Sequence, residues 1–220
     1  MTFGRLTPLQ TRLLEVLSGL RPQWVLGGGA ALAAVHTKHR PTRDLDLFWP
    51  RIAVLGEIAD STERCIKQAC LSAEWIQREP SFARLRVSEG EEVVVLDLVA
   101  EPREFLVAAT QLMIGKAQIL VENPHEILVD KLCSLLGRSE IRDLEDVRVL
   151  LEAGGELERA LRDAPRKDAG FSPLTLAWVL RGMDVAALAD LSAWDPDSVT
   201  RLIPFRDSLV RRITDLAEPR

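Results

Sequence analysis

The sequence lacks any apolar run long enough to span a membrane. A membrane-spanning helix needs about 20 consecutive apolar residues, and no stretch of this chain approaches that length. The first residues also lack the apolar core of a secretory signal peptide. Cysteine is scarce: Cys65, Cys70 and Cys133 form no Cys-x-x-Cys pair, and an odd number suits free thiols in a reducing compartment. We therefore expect a cytoplasmic protein with no membrane partner, structural disulfide or zinc site.

The chain has fewer positive charges than negative ones, with 28 Lys and Arg against 33 Asp and Glu. The formal net charge is −5, so the chain has no general electrostatic attraction to nucleic acid. Any contact with RNA must therefore be local. The 220 residues suffice for one large domain, or for one domain with a helical appendage.

The chain changes character near Pro124. Before that point, segments with helical and strand patterns alternate. The patterns predict helices from Thr7-Pro8 to Gly19 and over about 52–69, strands over 44–48, 74–78, 83–88 and 92–99, and a hairpin turn at Glu89-Gly90. This half is predicted to be an α/β domain with a mixed sheet.

After Pro124 the patterns are almost wholly helical. They predict helices over about 124–137, 141–151, 156–161, 173–181, 185–191 and 197–216. We expect an α/β (α+β) core over residues 1–122 and a helical region over 123–220 that completes a shared active-site cleft.

A glycine triplet follows the first apolar strand. Trp24-Val25-Leu26 leads into Gly27-Gly28-Gly29 and then into a short helix former. Backbone N–H groups at such a helix start can face an anion without interference from Cβ atoms. The sequence therefore predicts a phosphate-binding turn, with an ordinary tight turn as the alternative.

The strand over 44–48 offers a pair of carboxylates. Asp44 and Asp46 are two residues apart and so project from the same face of a strand, which suits the binding of Mg²⁺. Leu45, Leu47 and Phe48 indicate that the opposite face packs into a core. Like charges this close repel each other, so we expect a metal ion between them.

Two further constellations contain charges within apolar patterns. Asp97 interrupts a strongly apolar strand, and it completes a metal-binding triad if that strand lies beside Asp44 and Asp46; the alternative is an acid at an exposed sheet edge. Lys131 lies between apolar helical positions and can hold a phosphate, while Asp143 and Asp146 share one helical face. The alternative is a set of ion pairs, Lys131–Asp143 or Arg142–Asp146, that joins two helices.

One basic cluster lies between the glycines and the aspartates. It consists of His36, Lys38, His39, Arg40 and Arg43. Part of the cluster can be explained as the cationic end of a helix, which complements the helix dipole. Its position beside a proposed triphosphate site favours a functional role for at least Arg40.

These motifs together resemble the AbiEii/AbiGii toxin family of nucleotidyltransferases, which includes MenT-type toxins and belongs to the polymerase-β-like superfamily. The residues that carry the resemblance span about 24–151 in spaced blocks: Gly27-Gly28-Gly29-Ala30-Ala31-Leu32, Arg40-x-Thr42-x-Asp44-Leu-Asp46-Leu-Phe48, Asp130-Lys131-Leu and Arg138-x-x-x-Arg142-Asp143-Leu-x-Asp146. The resemblance implies Mg²⁺-dependent transfer of a nucleoside monophosphate from an NTP to tRNA or protein, with release of pyrophosphate. It also implies a cognate antitoxin.

The resemblance assigns a role to each matching position. Gly27, Gly28 and Gly29, with Arg40 and Thr42, would bind the nucleotide. Asp44 and Asp46, with Asp97 as a third ligand, would hold Mg²⁺; Lys131 would contact the triphosphate, and Asp143 or Asp146 would be the distal essential acid. Ala30 departs from the family pattern, which often has a hydroxyl residue there.

Two rival functions follow from the same residues. An antibiotic nucleotidyltransferase shares the glycine turn and the acidic pair, although the block from Lys131 to Asp146 argues against it. A catalytically silent nucleotidyltransferase fold would act only as a binding module, and the intact pair Asp44 and Asp46 argues against that interpretation.

Overall fold

The computed structural model describes residues 5–191 and 194–217. The chain divides into two compact units, one ending at Asn123 and the other beginning at Pro124. The first unit contains strands and helices, whereas the described part of the second is helical. This is the mixed sheet with a helical C-terminal half that the sequence predicts.

A seven-stranded mixed sheet forms the first unit. Its strands are β1 (Val25–Gly27), β2 (Asp44–Pro50), β3 (Ser72–Arg78), β4 (Phe82–Glu89), β5 (Glu92–Glu101), β6 (Thr110–Ile114) and β7 (Ala117–Val121). Their order across the sheet is β3-β4-β5-β2-β1-β7-β6. The pairs β2–β5 and β1–β7 are parallel and the others are antiparallel.

The alternation of β2 sets the two faces of the sheet. Leu45, Leu47 and Trp49 are fully buried, while Asp44, Asp46 and Phe48 are half-buried. Phe48 was expected on the core face, and that prediction is wrong because a strand has a period of two residues. Phe48 lies on the carboxylate face, where its ring contacts Phe105 edge-on at 6.4 Å between centroids.

Helix α1 (Pro8–Leu17) begins where the sequence predicts. The Thr7 hydroxyl accepts from the Gln10 N–H and the Gln10 side chain accepts from the Thr7 N–H, which is a capping box. The leucine stripe of α1 is buried. This helix contacts the sheet at β5, β6 and β7, and it packs against α3 (Glu57–Gln68).

The main differences from the predictions are the start of one helix, the position of one loop and an additional hairpin. Helix α3 begins at Glu57 rather than near Ile52, because the chain passes through left-handed conformations at Arg51 and Gly56 first. The β4–β5 loop consists of Gly90 and Glu91, one residue later than predicted. The hairpin of β6 and β7 was not predicted, since each strand has only five residues and Gly115 is the only strong turn signal between them.

Two short helical segments follow β1. They are α2 (Gly28–Ala30) and a π-helical segment, Ala31–His36. Residues Ala30 to Val35 are buried, so this part of the chain packs as core and carries the chain from the glycine turn to the basic cluster.

The second unit contains the predicted helices. They are α4 (Pro124–Gly137), α5 (Ile141–Glu152), α6 (Leu157–Asp163), α7 (Pro173–Gly182), α8 (Val185–Leu191) and α9 (Pro196–Ala217). Helix α4 packs against α5, α6 and α7, while α9 packs against α5, α7 and α8. Within the described residues, every helix is too short or too polar to cross a bilayer.

Candidate active site

Three carboxylates lie on one face of the two neighbouring strands β2 and β5. The parallel register places Asp46 opposite Asp97 and Asp44 opposite Val95. Paired residues of adjacent strands project from the same face, so Asp44, Asp46 and Asp97 form a group that we call the acidic row. Strand β5 lies between β4 and β2, which rules out the alternative that Asp97 occupies an exposed sheet edge.

Asp97 is buried and is held by Arg84 from β4. Arg84 lies opposite Asp97 in the antiparallel register. Its Nε donates to Asp97 Oδ1 at 2.7 Å and its Nη2 donates to Oδ2 at 2.6 Å. This fork geometry satisfies both oxygens of a carboxylate that is only 6% exposed. Sequence reasoning missed Arg84.

Arg84 also lies in the electric field of the other two aspartates. The hydrogen bonds that Arg84 donates to Asp97 raise the pKa of Arg84 most, and the charges of Asp44 and Asp46 raise it further. The acidic row therefore already has one resident cation.

The glycine turn makes close contact with the acidic row. Gly27 lies opposite Asp46 in the sheet, and Gly28 has a φ of +57°. A Cβ on Gly28 would overlap Asp46 Oδ2 and lie 2.9 Å from Asp46 Cγ. Only glycine fits both the left-handed backbone and the close approach. The carboxylate of Asp46 is thereby held directly against the turn.

A second anion accepts from this turn. The N–H of Gly28 donates to Glu122 Oε2 at 3.0 Å, and Glu122 is 1% exposed. Glu122 follows β7, the strand that pairs with β1, and its carbonyl accepts from His36 Nε2 at 2.7 Å. A protein carboxylate thus uses one of the backbone donors that the glycine pattern predicts for phosphate. The acid directly after the apolar run at 119–121 was the available signal for this residue.

The remaining nucleotide-binding candidates of the first unit lie near the turn. A Cβ on Gly29 would lie 3.4 Å from Arg40 Nη2 and 3.7 Å from Thr42 Oγ1. The Thr42 hydroxyl donates to the carbonyl of Asp44 at 3.2 Å. Lys38 and Arg43 are exposed. Arg40 and Thr42 therefore adjoin the turn, while Lys38 and Arg43 face solvent.

The candidates of the second unit form a buried charge cluster. Lys131 Nζ on α4 lies 2.6 Å from Asp143 Oδ1 and 2.8 Å from Asp146 Oδ2, both on α5. Arg138 Nε donates to the other oxygen of Asp143 at 3.0 Å. The ion pair Lys131–Asp143, which the sequence offered as an alternative, is present. Asp146 pairs with Lys131 rather than with Arg142.

The charge cluster is balanced within itself. Burial lowers the pKa of Lys131, but the charges and hydrogen bonds of Asp146 and Asp143 outweigh it, so the pKa is raised overall. Lys131 is therefore protonated, and with Arg138 it matches the two carboxylates. These contacts tie α4 to α5.

The acidic row supplies the donor type that Mg²⁺ prefers. Asp44 and Asp46 offer carboxylate oxygens on one half-buried face, and Asp46 fits against the turn because Gly28 has no Cβ. Within residues 5–191 and 194–217, no three His, Cys, Asp or Glu side chains are arranged to hold a metal ion. Mg²⁺ commonly binds through one or two carboxylates and completes its shell with waters and substrate phosphates, so a two-aspartate site fits it.

A family model identifies the family of this chain, and solved structures show a similar fold. A family model described as "Nucleotidyl transferase AbiEii toxin, Type IV TA system" matches residues 12–184. No curated protein matches the sequence. A candidate nucleotidyltransferase from H. pylori has a similar structure, with a TM-score of 0.55 and 18% identity over 97% of this chain and 100% of that one.

Two other solved structures are similar. JHP933 from Helicobacter pylori matches with a TM-score of 0.53 and 18% identity, over 92% of this chain and 89% of that one. An antigenic nucleotidyltransferase-like protein from Paracoccidioides brasiliensis matches with a TM-score of 0.51 and 18% identity, over 80% of this chain and 94% of that one. At such identities the likeness shows the fold alone.

Replacement of Gly28 by alanine should destabilise the protein more than a matched glycine replacement. Gly90 has nearly the same φ, +58°, but a Cβ on Gly90 would meet no atom within 4 Å. We expect Gly90→Ala to cost about 1 kcal/mol of unfolding free energy through backbone strain alone, and Gly28→Ala about 3 kcal/mol because overpacking against Asp46 adds to that strain. Urea unfolding followed by tryptophan fluorescence measures both. Equal losses would contradict the tight contact between the turn and Asp46.

Replacement of Lys131 by methionine should strongly destabilise the helical unit. The change leaves two buried aspartates short of one cation, a situation that costs about 3–5 kcal/mol. Arg162→Met is the control, because Arg162 forms an ion pair with Glu158 in which both side chains are about two-thirds exposed, and such pairs contribute little. Chemical unfolding compares the two variants. A Lys131→Met protein as stable as the control would argue that Lys131 is kept there for a ligand instead.

The raised pKa of Lys131 predicts how this stability difference depends on pH. A group whose pKa is raised on folding stabilises the protein fully below its unfolded pKa, and the benefit declines as pH rises through the folded value. At alkaline pH, where the aspartates of both proteins are ionised, the stability gap between wild type and Lys131→Met should therefore stay constant up to the ordinary lysine value of 10.5 and shrink above it. A gap that already shrinks within the alkaline range below that value would contradict the raised pKa.

Proposed function

This chain belongs to the AbiEii family of nucleotidyl transferase toxins of type IV toxin–antitoxin systems, and from that premise we propose that it moves a nucleoside monophosphate from an NTP to a tRNA or protein acceptor. The observation that carries the proposal is the contact between the glycine turn and the acidic row, which brings an anion-binding backbone beside a cation-binding pair. A cognate antitoxin is expected as a partner, because the family is described as part of a toxin–antitoxin system.

The proposed reaction is an in-line displacement at the α-phosphorus of the NTP. An acceptor oxygen forms a bond to that phosphorus, the bond to the β-phosphate oxygen breaks, pyrophosphate leaves, and the acceptor proton passes to a carboxylate of the acidic row. Asp44 and Asp46 are the proposed Mg²⁺ ligands, and the ion, when bound, supplies positive charge to the phosphate oxygens. Asp97 was expected as a third ligand, but Arg84 donates to both of its oxygens, and the metal site proposed here uses Asp44 and Asp46 alone.

Nucleotide phosphates are proposed to bind along Gly27, Gly28 and Gly29, with Arg40 and Thr42 beside them. The hydrogen bond from Gly28 to Glu122 supports this role, since it shows that the turn can donate to a carboxylate oxygen. The phosphates would bind next to that glutamate or take its place. Anions are favoured at such turns because the N–H groups and the helix dipole both point at them.

The second group, Lys131 with Asp143 and Asp146, is proposed to complete the site. Lys131 would contact the triphosphate and one of the two aspartates would be the distal acid. Lys131 bonds to both carboxylates, which leaves the third N–H donor of its ammonium for contact with a phosphate.

A catalytically silent binding module is the second candidate function. The observation that favours it is that Gly28, Asp97 and Lys131 each already have a protein partner of suitable charge. A silent module would still bind an NTP, but it would not transfer label to any acceptor. An activity assay therefore separates it from the enzyme.

The labelling assay tests the enzyme directly. Purified protein is incubated with each α-labelled NTP, Mg²⁺ and total cellular RNA or protein, and the label should appear in one acceptor class. Asp44→Asn and Asp46→Asn should each reduce labelling by more than about 100-fold, the order lost when one stabilising contact to a transition state is removed. Their melting temperatures should hold or rise without Mg²⁺, because repulsion is relieved.

Glu91→Gln is the matched control for these variants. Glu91 is an exposed acid in the loop between β4 and β5, so its loss changes the net charge equally and should leave labelling unchanged. Full activity in both aspartate variants would overturn the two-carboxylate mechanism. Absence of label from every acceptor, together with measurable NTP binding, would favour the silent module.

The basic cluster distinguishes an RNA acceptor from a small molecule such as an antibiotic. Lys38 and Arg43 are its exposed cations, and Lys38→Gln/Arg43→Gln should flatten the salt dependence of RNA labelling by about one unit or more of logarithmic slope, since each lost phosphate contact removes about 0.7–0.9. Transfer rates across a salt series measure the slope. Arg64→Gln/Lys67→Gln on α3 is the control, with two exposed cations outside the cluster. An unchanged slope in the first variant would count against RNA docking there.

A further inference from the structure

The ion pair of Arg84 and Asp97 divides the acidic row into two parts. Asp97 gives both of its oxygens to one guanidinium, at 2.6 and 2.7 Å. Asp44 and Asp46 lie on the same face, half-buried, one strand further along the sheet. A carboxylate whose two oxygens serve a bidentate arginine is less able to bind a cation, because the guanidinium occupies the preferred directions and repels the incoming charge.

The register makes this arrangement specific to Arg84. A neighbouring cation on the same face of β4, Arg86, lies opposite Val95 instead of Asp97. Its guanidinium is 3.6 Å from Glu74 of β3, and both side chains are more than half exposed. One of two arginines on this face is therefore directed at the acidic row, and the other is directed away from it. Arg86 provides a matched control for any effect of Arg84.

We propose that Arg84 is a positioning residue that holds Asp97 out of the divalent-cation site, so that the ion is bound by Asp44 and Asp46 without the third carboxylate. The inference rests on the proposed function, since it needs a cation at the acidic row. It gives Arg84 a defined role: the side chain limits the number of protein carboxylates on the ion and leaves coordination positions for substrate oxygens. Ligand charge and ligand count are the features that tune the affinity of such sites.

The central test measures Mn²⁺ binding without any turnover. Mn²⁺ serves as a paramagnetic substitute for Mg²⁺, and the free ion is counted by electron paramagnetic resonance as the protein is titrated. Groups that contact a metal ligand change metal affinity by about 10–100-fold, usually because their loss weakens a ligand. Here the loss of Arg84 frees a carboxylate and removes a repelling charge, so Arg84→Met should tighten Mn²⁺ binding by about tenfold or more. Arg86→Met should leave the dissociation constant within about twofold, because a distant exposed charge is screened.

A double variant separates release of Asp97 from a general change in charge. Arg84→Met/Asp97→Asn removes one positive and one negative charge together, so it should bind Mn²⁺ as the wild type does. If Asp97 already ligates the ion in the wild type, this double variant should instead bind more weakly, and the proposal would be overturned. Unchanged or weaker binding by Arg84→Met alone would overturn it as well.

Arg84→Lys keeps the charge but cannot form the two-pronged contact. We expect it to tighten Mn²⁺ binding by less than Arg84→Met and in the same direction, and it carries the test if Arg84→Met does not fold. Thermal unfolding of each variant verifies the fold. A wild-type protein that binds no Mn²⁺ would refute the proposed metal site itself, whereas wild-type binding that Arg84→Met fails to tighten would refute only the role of Arg84.

Discussion

Repulsion among the carboxylates of the acidic row is the constraint on which the rest of the first unit depends. The parallel register of β2 and β5 places Asp46 beside Asp97, and the period of β2 adds Asp44 to the same face. Such a row is stable only if positive charge reaches it. Arg84 of β4 supplies one positive charge, and the proposed Mg²⁺ ion would supply two more. The glycine turn adds a steric requirement at the same place, because only a residue without Cβ can lie against Asp46.

In the helical unit, buried carboxylates are neutralised by side chains of the protein without a ligand. Its two aspartates are almost fully buried, yet Lys131 and Arg138 match them with short hydrogen bonds. Removal of one member of such a buried group costs far more than the group contributes as a whole. The cluster therefore stabilises the packing of α4 against α5. Any catalytic role for Lys131 has to be compatible with these stabilising contacts.

Much of the fold was predictable because it rests on local patterns. The cap at Thr7, the alternation of β2 and the helices after Pro124 are each encoded within a short stretch. The features that were predicted wrongly depend on the exact position of a loop or on pairing between strands that are distant in the sequence. A hairpin turn at Glu89-Gly90 would place Asp97 opposite Phe82, whereas the observed loop of Gly90 and Glu91 places it opposite Arg84. A shift of one residue in a loop changes every partner along a hairpin.

The partners of the candidate site residues were not predictable from the local sequence. Residue types and spacing identified the acidic pair and the glycine turn, but the partners of Gly28, Asp97 and Lys131 come from elements that only the folded sheet or helix pair brings together. Each of these groups already has a partner of suitable sign within the protein. A ligand that binds at Gly28 or Asp97 has to displace that partner, so its affinity reflects the difference between two sets of contacts. A phosphate competes with a glutamate and a metal ion competes with an arginine, which makes the resident side chains determinants of which ligands can bind.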